Sequence, residues 1–584
     1  MATGISEIFG ADDSSDEGCP LYVLKFGGSV LRSIRDLPRV AGEIYRQRRA
    51  GRRVIAIVSA LAGDTDELFR QAAAVTGNAT CRGVPDVVSL GEERTAALLR
   101  LACDRIGLRA EICGPEDLCI RTAGDPLNAE PIRLEADALL AKLRRSGVVI
   151  APGFVGLGAD GERTLLGRGG SDFSAIYVAG ELEADCVRLY KDVDGVFDRD
   201  PARFSQASRY STISWEETLR IARPLIQPKG VEYAAARRLA IEVEALGSAE
   251  PTRVGPHTGM AERVATNPPV RVSIAGFGVV GQALVERLRD EKAFEPVAIL
   301  VRDLSRPRLV TPPVPLTSDR ESFLACDTDV IVDALSCEET GSLLCNAFLP
   351  TGVDVVSASK RVISFDHARL VHSARQGGSQ LLYSAAVGGS AAVLETIDRA
   401  RHQGKIVEVV GVLNGTVNYI LQRLSQGLDF ERALREAQER GFAEEDPEAD
   451  LSGADAAAKL RLIAHRALDI DPRALEVETE RLDEAAAEAI GATNERWVQV
   501  ARVTCNDEGR QARVAFQPLR EVEALPTISD EWNCAAVTLA DGRIYRCLGR
   551  GAGGAATAES IIADLYELLA KRDTAPPQEL AEAC

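Results

Sequence analysis

Short apolar runs alternate with amphipathic segments along most of this chain. Val54 to Val58 and Val148 to Ile150 have the length of buried strands, and Thr95 to Ile106 has apolar residues at helical spacing. Alternation of buried strands with amphipathic helices is typical of an α/β fold. The pattern predicts that folded structure begins at Tyr22, after an acidic segment without periodicity.

A glycine-rich turn in the second half joins a predicted strand to a predicted helix. Val272 to Ala275 is apolar enough for a buried strand, and Val280 to Leu288 has helical apolar spacing. The glycines between them have the spacing G-x-G-x-x-G, which permits a tight bend, a close approach of the backbone to a pyrophosphate and close packing of helix on strand. We therefore predict a dinucleotide-binding turn at the helix N-terminus. Its cofactor-binding residues are Gly276, Phe277, Gly278, Val279, Val280 and Gly281.

Three further strands are predicted downstream, at Pro296 to Val301, Val330 to Ala334 and Val353 to Ser357. The first of them ends at Arg302-Asp303. An acidic residue there would bind a ribose 2′-hydroxyl, whereas arginines would accept a 2′-phosphate. Because arginines outnumber the aspartate in this loop, we predict NADP(H) as the cofactor, with NAD possible and Arg302 as a contact.

Length and charge limit the classes of function. A chain of 584 residues is expected to form two to four domains. The net charge of −19 argues against nucleic-acid or anionic-membrane partners. No apolar run suffices to span a bilayer and no signal peptide is evident, so a cytoplasmic protein is expected. The 13 cysteines form no C-x-x-C pair and the five histidines no H-x-x-x-H pair, so we expect reduced thiols and no protein-ligated metal.

Charged residues beside glycines mark candidate chemistry in the first half. Lys25-Phe26-Gly27-Gly28-Ser29 ends the first predicted strand, and its backbone N–H groups could bind a nucleotide's phosphates beside the lysine. A second glycine turn, GRGGSD at 167–172, carries one cation and one anion. A later predicted strand ends in two carboxylates, at 190–197, which suits a nucleobase and Mg²⁺ edge.

These motifs, in this order, resemble those of the aspartate kinases, which have the amino-acid kinase fold. The matching segments lie within residues 20 to 255 and are KFGGSV (25–30), SALAGDTDEL (59–68), SLGEERTAALL (89–99), GFVGLGADGERTLLGRGGSDFSA (153–175) and YKDVDGVFDRDP (190–201). The resemblance implies ATP and Mg²⁺ as cofactors and phosphorylation of L-aspartate to 4-phospho-L-aspartate. The implied roles are catalytic for Lys25 and Asp172, substrate-binding for Thr65, Glu92 and Arg168, and nucleotide-binding for Gly27, Gly28, Ser29, Asp192 and Gly195.

The first half departs from the aspartate kinase pattern at three places. Its first glycine motif is one residue shorter, Pro224 replaces the lysine before the [HQ]-P motif, and Lys191 replaces a small hydroxyl residue. Arg223 or Lys191 could supply the missing cation; otherwise nucleotide binding is weakened.

The junction between the halves has the composition of a linker, with several prolines between residues 249 and 269. Bifunctional relatives carry a pair of ACT-type sensor domains here, and this junction is too short for them. We therefore expect no feedback by threonine or lysine through such domains.

Carboxylates and a lysine mark candidate chemistry in the second half. Glu444 and Asp450 lie in an acidic loop, and Asp455 and Lys459 are four residues apart on the following helix, hence on one face. Such a pair in isolation is usually a surface salt bridge. The acidic loop upstream favours instead an ammonium-binding pocket with a buried lysine.

The second half resembles homoserine dehydrogenase. The matching segments lie within residues 270 to 570 and are GFGVVG (276–281), SASK (357–360), SAAVGGS (384–390), GVLNGTVNYIL (411–421), GFAEEDPEADLSGADAAAKL (441–460) and RGAGGAATAESIIADL (550–565). The implied roles are catalytic for Lys360 and Lys459, substrate-binding for Glu444, Asp450 and Asp455, and cofactor-binding for Ser359, Lys360, Gly415 and Gly549, with Gly388 and Thr416 nearby. Ser359 replaces the asparagine usual before the cofactor-side lysine.

The predicted architecture is an amino-acid kinase fold followed by a Rossmann domain with an inserted α+β catalytic domain. The expected boundaries are a disordered tail (1–20), kinase (21–248), linker (249–269), Rossmann domain (270–383), catalytic and dimerisation domain (384–548) and a return to the Rossmann domain (549–584). The expected protein is bifunctional and acts on L-aspartate and on aspartate 4-semialdehyde or L-homoserine, as a homodimer or higher homo-oligomer. Two alternatives stay open: a dehydrogenase fused to a weakly active or nucleotide-binding-only kinase domain, and a pair specialised for a related amino acid in secondary metabolism.

Overall fold

The computed structural model describes residues 18–77, 81–222, 225–248, 250–262, 268–443, 446–493, 495–506, 509–526 and 532–574. The chain divides into two compact units, Met1–Asn267 and Pro268–Cys584. Most of the tail predicted for residues 1 to 20 lies outside the described residues.

The first unit alternates strands and helices, as its apolar pattern predicts. Its strands are β1 (Leu21–Phe26), β2 (Arg53–Val58), β3 (Glu111–Ile112), β4 (Ile120–Asp125), β5 (Asn128–Leu134), β6 (Val148–Pro152), β7 (Val155–Leu157), β8 (Arg163–Leu165), β9 (Cys186–Lys191), β10 (Arg209–Tyr210), β11 (Thr212–Ser214), β12 (Ile241–Ala245), β13 (Thr252–Gly255) and β14 (Ala261–Glu262). Its helices are α1 (Leu37–Arg49), α2 (Asp64–Thr76), α3 (Val84–Arg105), α4 (Pro115–Leu118), α5 (Asp137–Ser146), α6 (Gly170–Glu181), α7 (Trp215–Ile221) and α8 (Pro228–Arg237).

An eight-stranded sheet in the order β11-β13-β12-β9-β1-β2-β6-β3 forms the centre of this unit. All neighbours from β12 to β3 are parallel. Parallel strands are covered on both faces, which explains the nearly continuous apolar sequences of β1 and β2. The carboxyl ends of β1, β2, β6 and β9 therefore meet at one edge, where ligands of such sheets bind.

The linker predicted for residues 249 to 269 needs correction. Part of it is β13, which pairs antiparallel with β12 and parallel with β11, and β14 pairs with β10. Thr252 is fully buried; its Oγ1 accepts a hydrogen bond from the Val196 N–H (3.0 Å) and donates one to Tyr210 O (2.6 Å). The flanking prolines indicate a linker, but proline is also tolerated at the ends of strands near a sheet edge.

The second unit contains two sheets and a larger set of helices. Its strands are β15 (Val270–Ala275), β16 (Phe294–Leu300), β17 (Leu316–Thr317), β18 (Val330–Asp333), β19 (Asp354–Ser357), β20 (Leu381–Leu382), β21 (Ile406–Val412), β22 (Glu478–Thr479), β23 (Trp497–Asn506), β24 (Gly509–Pro518), β25 (Trp532–Leu539) and β26 (Ile544–Arg550). Its helices are α9 (Val279–Leu288), α10 (Arg320–Leu324), α11 (Glu338–Phe348), α12 (Lys360–Gly377), α13 (Ser384–Gly388), α14 (Val393–Gln403), α15 (Gly415–Ser425), α16 (Phe430–Glu439), α17 (Glu448–Leu451), α18 (Ala454–Leu468), α19 (Glu484–Gly491) and α20 (Gly554–Thr574).

The first of these sheets is wholly parallel, in the order β17-β16-β15-β18-β19-β20. This is the strand order of a Rossmann fold, with the predicted glycine turn after its first strand, β15. The second sheet, β22-β24-β23-β21-β25-β26, is antiparallel except for the β22–β24 pair. The predicted Rossmann domain with an α+β insertion is confirmed.

The last helix, α20, packs back against α9 of the Rossmann domain. Arg287 of α9 forms ion pairs with Glu559 of α20 (2.9 Å) and with Glu291. The Tyr566 hydroxyl also donates a hydrogen bond to Glu291 (2.6 Å). Both carboxylates are buried, so this cluster holds α20 against α9. Within the described ranges, no helix is both long enough and apolar enough to cross a membrane.

Arg287→Leu is expected to loosen α9 and α20 together. Without the guanidinium, two buried carboxylates lose their counter-charge, which typically costs about 3–5 kcal/mol. Native-state hydrogen exchange of the two helices measures this loss. Arg289→Leu, an exposed neighbour, is the control and should change stability by less than about 0.5 kcal/mol. Equal protection in both variants would contradict this role of Arg287.

Candidate active sites

The first candidate site lies where β1 and β9 end. Lys25 and Lys191 project from these adjacent parallel strands onto the same face, because Lys25 pairs with Leu189 and side chains alternate. Their Nζ atoms lie 2.6 and 2.8 Å from the two carboxylate oxygens of Asp172, in the first turn of α6. The exposed fractions of Lys25, Asp172 and Lys191 are only 6%, 5% and 8%. One buried carboxylate thus holds two ammonium groups.

The electrostatics of this cluster follow from burial and charge. Burial alone would raise the pKa of Asp172, but the two ammonium groups hold it below its ordinary value. Burial lowers the pKa of Lys25, and Lys191 lowers it further, against the opposing effect of Asp172. With all three groups ionised the cluster carries one net positive charge. It is therefore suited to bind an anion.

The glycine turn after β1 leaves room for the Lys25 side chain. The Val30 and Leu31 N–H groups donate hydrogen bonds to Gly27 O at 2.9 and 2.8 Å, which closes the turn. A β-carbon at Gly27 would collide with Lys25 Nζ. Gly28 and Ser29 are half-buried at the same edge of the sheet. These positions fit the predicted phosphate cradle.

Glu92 is a second buried carboxylate in this unit. Gly91 lets α3 pack against Ala60, and the Glu92 carboxylate accepts a hydrogen bond from the Ala60 N–H. Burial raises the pKa of Glu92 to about 7. Its Oε2 is buried without a hydrogen-bond partner among the described residues. An unsatisfied carboxylate oxygen suits the predicted contact with a substrate ammonium group.

The other predicted residues of this site lie on loops and helix ends. Thr65 is half-buried in the first turn of α2, directly after β2. Arg168 is exposed in the turn before α6. Asp192 is exposed immediately after β9, and Gly195, with φ +140, leaves the space that Thr252 Oγ1 occupies. Arg223 and Pro224 lie outside the described residues.

The predicted dinucleotide turn has the geometry that its glycines indicate. Gly276 has φ +106, and a β-carbon at Gly281 would collide with Gly276 O, so both positions require glycine. A β-carbon at Gly278 would meet no atom within 4 Å. Phe277 packs in the core, whereas Gly278 and Val279 are exposed at the start of α9. The open face of this turn fits a pyrophosphate.

The loop after β16 exposes arginines. Asp303 Oδ1 accepts hydrogen bonds from the N–H and Oγ of Ser305, at 2.8 and 2.7 Å. The Ser305 bonds lower the pKa of Asp303. Gln282 Oε1 fastens the far end of the loop to α9. Arg302 and Arg306 are exposed. The aspartate is thus engaged within its own loop, whereas Arg302 and Arg306 face solvent.

The second candidate site repeats the arrangement of two lysines around one carboxylate. Asp455, in the first turn of α18, forms an ion pair with Lys360 through Oδ1 and with Lys459 through Oδ2 at 3.0 Å. Lys459 Nζ also donates a hydrogen bond to Leu413 O (2.6 Å). Asp455 and Lys459 are buried, whereas Lys360 is partly exposed. The prediction of a buried lysine is confirmed for Lys459.

Burial and charge also shape the titration of this site. Burial would raise the pKa of Asp455, but Lys459 and Lys360 lower it to about 2. Burial and the nearby charge of Lys360 lower the pKa of Lys459, despite Asp455. Asp450 has a raised pKa because of burial and the neighbouring Asp455 charge. Asn414 Nδ2 donates a hydrogen bond to Asp450 Oδ1 (2.8 Å), which links α17 to the start of α15.

Lys360 follows a turn at Ser357 to Ser359 that is held in place by a chain of hydrogen bonds to the buried carboxylate of Asp333. Ser359 caps α12, and its N–H donates to Ser357 Oγ (3.1 Å). Ser357 Oγ in turn donates to Asp333 Oδ2 (2.7 Å). Burial raises the pKa of Asp333 to about 6. Lys360 therefore sits at the carboxyl edge of the parallel sheet that carries the dinucleotide turn.

The remaining glycines of the second site mark close approaches of the backbone. Gly415 begins α15, which Asn414 caps by accepting from the Val417 N–H (3.0 Å). The adjacent Thr416 Oγ1 donates to Phe442 O (2.6 Å). The segment after α13 crosses the end of β26, where Ser390 and Ala391 leave no space for a β-carbon at Gly549. Glu444 lies outside the described residues.

Two residues of the second site, Asn414 and Asp333, are not among those predicted from the sequence. Asn414 contacts both Asp450 and Asp455, and its only signal is its position before a helix, as an N-cap residue. Asp333 lies in the strand predicted at Val330 to Ala334 and ends β18, at the carboxyl edge of the sheet. Its bond to Ser357 depends on the pairing of β18 with β19.

Three family models match the chain. The model described as the amino acid kinase family matches residues 20–233. The model for the NAD binding domain of homoserine dehydrogenase matches residues 276–384, and the homoserine dehydrogenase model matches residues 393–566.

Individual relatives agree with this division. An aspartate kinase of Pseudomonas putida is 34% identical over 226 residues, which cover 38% of this chain and 55% of that protein. The chain thus spans about half the length of the aspartate kinases it matches. A homoserine dehydrogenase of Synechocystis is 31% identical over 320 residues, which cover 51% of this chain and 73% of that protein. A solved homoserine dehydrogenase of Thiobacillus denitrificans is 25% identical, covering 53% of this chain and 76% of that chain with a TM-score of 0.49.

The second unit combines a Rossmann turn with a buried carboxylate between two lysines, and the Synechocystis relative matches it over most of that relative's length. The first unit has a parallel sheet, a glycine turn and the Lys25–Asp172 pair within the region of the kinase family model. The chain therefore belongs to the homoserine dehydrogenase family and carries, ahead of that region, a domain of the amino acid kinase family.

Proposed function

We propose that the chain is a bifunctional enzyme. Its first unit phosphorylates L-aspartate with ATP, and its second interconverts aspartate 4-semialdehyde and L-homoserine with NADP(H). The observation that carries this proposal is the recurrence, once in each unit, of a buried carboxylate between two lysines at the carboxyl edge of a parallel sheet with a glycine turn. A separate reductase must convert the acyl phosphate to the aldehyde.

In the kinase reaction an oxygen of the aspartate side-chain carboxylate forms a bond to the γ-phosphorus of ATP. The bond from that phosphorus to the bridging oxygen breaks, and ADP leaves. No proton has to move, so positioning and charge neutralisation are the main requirements. Lys25 neutralises the transferring group, Glu92 binds the substrate ammonium, and Arg168 binds its α-carboxylate. Mg²⁺ bound with ATP would be held near the exposed carboxylate of Asp192 and neutralise phosphate charge.

In the dehydrogenase reaction bound NADPH supplies the hydride. Lys459 holds the proton that the carbonyl oxygen receives, and its lowered pKa eases the transfer. Asp455 keeps Lys459 and Lys360 in place, and Asp450 binds the substrate ammonium. Glu444 is proposed to bind the substrate on the basis of the sequence resemblance alone. Assembly as a homodimer or higher homo-oligomer and a cytoplasmic location also remain predictions.

The cofactor is proposed to be NADP(H). Asp303 Oδ1 already accepts two hydrogen bonds from Ser305, so it is less available to bind a ribose 2′-hydroxyl. Arg302 and Arg306 are exposed at the end of the second Rossmann strand, where a 2′-phosphate would lie.

Each activity should depend on its own lysine. Lys25→Met is expected to lower aspartate-dependent ADP formation about 100-fold or more while leaving aspartate semialdehyde reduction unchanged, because it removes one charge from the phosphoryl site. Lys459→Met should do the reverse. Lys142→Met, which removes an ion pair with Asp117 outside both sites, is the control. ADP formation that survives Lys25→Met would contradict the catalytic role of Lys25. Absence of aspartate-dependent ADP formation from the wild type would favour the alternative of a kinase domain that only binds nucleotide.

The kinase should gain affinity for aspartate as the pH rises through about 7. Below that pH the Glu92 carboxyl is protonated because burial raises its pKa, and a neutral acid cannot pair with the substrate ammonium. The measurement is kcat/KM for aspartate from pH 6 to 8.5. Glu92→Gln should lower it and flatten this rise. A rise that persists in the variant would assign the titration to another group.

Arg302→Ala should weaken the binding of NADPH but not that of NADH. Losing a charge-assisted bond to the 2′-phosphate is expected to raise the KM for NADPH about tenfold and leave that for NADH within about twofold. Arg289→Ala, exposed in the same unit, serves as the control. A wild-type preference for NADH would refute the assignment of NADP(H).

A further inference from the structure

Lys191 stands where aspartate kinases usually have a small hydroxyl residue, immediately before Asp192. We infer that it is a second catalytic cation of the kinase site, which contacts the γ-phosphate of ATP and shares with Lys25 the charge of the transferring group. The inference rests on the proposed kinase function and adds to it a residue that the usual motif lacks. It also identifies Lys191 as the replacement for the lysine lost at Pro224.

The first support is geometric. Lys191 and Lys25 extend from neighbouring parallel strands to the same face and approach opposite oxygens of Asp172 at 2.8 and 2.6 Å. Lys191 is only 8% exposed, so it is no solvated surface lysine. Lys25 Nζ lies beside Gly27, in the turn where the nucleotide phosphates are proposed to bind, and the shared carboxylate of Asp172 brings Lys191 Nζ to the same site.

The opposite face of the sheet fixes both lysines in register. Phe26, which follows Lys25, stacks on Tyr190, which precedes Lys191, with ring centroids 4.9 Å apart and planes 1° from parallel. The Tyr190 hydroxyl donates a hydrogen bond to Glu43 Oε1 of α1 at 2.6 Å. These contacts hold the ends of β1 and β9 together. The two ammonium groups are therefore presented as a rigid pair, which reduces the entropy lost on binding a phosphate.

The second support is the charge balance. Lys25 and Asp172 alone would form a neutral pair. Lys191 adds a buried positive charge that Asp172 cannot fully compensate, and a buried charge without a full partner is costly. A phosphate group restores the balance, since it supplies negative oxygens within reach of two donors. In the transfer, Lys191 donates hydrogen bonds to γ-phosphate oxygens and exchanges no proton; the phosphorus–oxygen bonds change as in the proposed reaction.

If Lys191 had only a structural role, its replacement would be expected to have the opposite effect on kinase activity. If its only role were to occupy Asp172, replacement by the usual hydroxyl residue would free that carboxylate and preserve or raise kinase activity. The two roles therefore differ in the sign of the effect of Lys191→Thr.

The test compares Lys191→Met and Lys191→Thr with the wild type and with Lys142→Met in the full chain. Calorimetry with Mg²⁺ gives the Kd values for ATP and ADP, and steady-state assays give kcat for aspartate-dependent ADP formation. Both Lys191 variants should bind ATP about tenfold or more weakly, bind ADP within about threefold of wild type, and lose about 100-fold in kcat. Lys142→Met and the dehydrogenase activity of every variant should be unchanged.

General damage to the fold would weaken the binding of ATP and of ADP alike. It therefore cannot explain a selective loss of affinity for ATP. Equal weakening of ATP and ADP, or kinase activity preserved in Lys191→Thr, would overturn the inference. If the wild type binds ATP but forms no ADP with aspartate, the proposed kinase function fails. The ratio of ATP to ADP affinity still tests Lys191 in that case.

Discussion

Both candidate sites depend on one buried carboxylate that holds two lysine ammonium groups. Asp172 does this in the first unit and Asp455 in the second. Each aspartate lies in the first turn of a helix that starts after a glycine with φ near +77, Gly169 or Gly453. The positive end of the helix dipole favours the ionised carboxylate there. Because removal of either aspartate would leave two like charges close together, each carboxylate keeps its site assembled.

The same electrostatic arrangement supports different chemistry in the two units. In the first, both lysines are buried at the end of a sheet, and Lys25 lies beside the glycine turn where a phosphate is proposed to bind. In the second, Lys459 is buried with a lowered pKa while Lys360 is partly exposed, which suits proton transfer. In the proposed reactions, the surroundings of the shared carboxylate therefore decide whether the site neutralises a phosphoryl group or moves a proton.

The sequence predicts local features well and contacts between distant segments poorly. The turn around Gly278 follows from glycine spacing, and the Asp455–Lys459 pair follows from helical periodicity. In contrast, Lys191 meets Asp172 only because β9 lies beside β1, under α6. The role of Thr252 in a buried strand is likewise hidden by neighbouring prolines. Strand order and register decide such contacts, and no local pattern encodes them.

The most direct test of this account is a paired assay of Asp172→Asn and Asp455→Asn in the full chain. Asparagine keeps the shape of the side chain but removes the charge that holds the lysines. We expect Asp172→Asn to lose kinase activity and keep dehydrogenase activity, and Asp455→Asn to lose dehydrogenase activity and keep kinase activity. Full activity of either variant at its own site, or parallel loss of both activities in one variant, would contradict it.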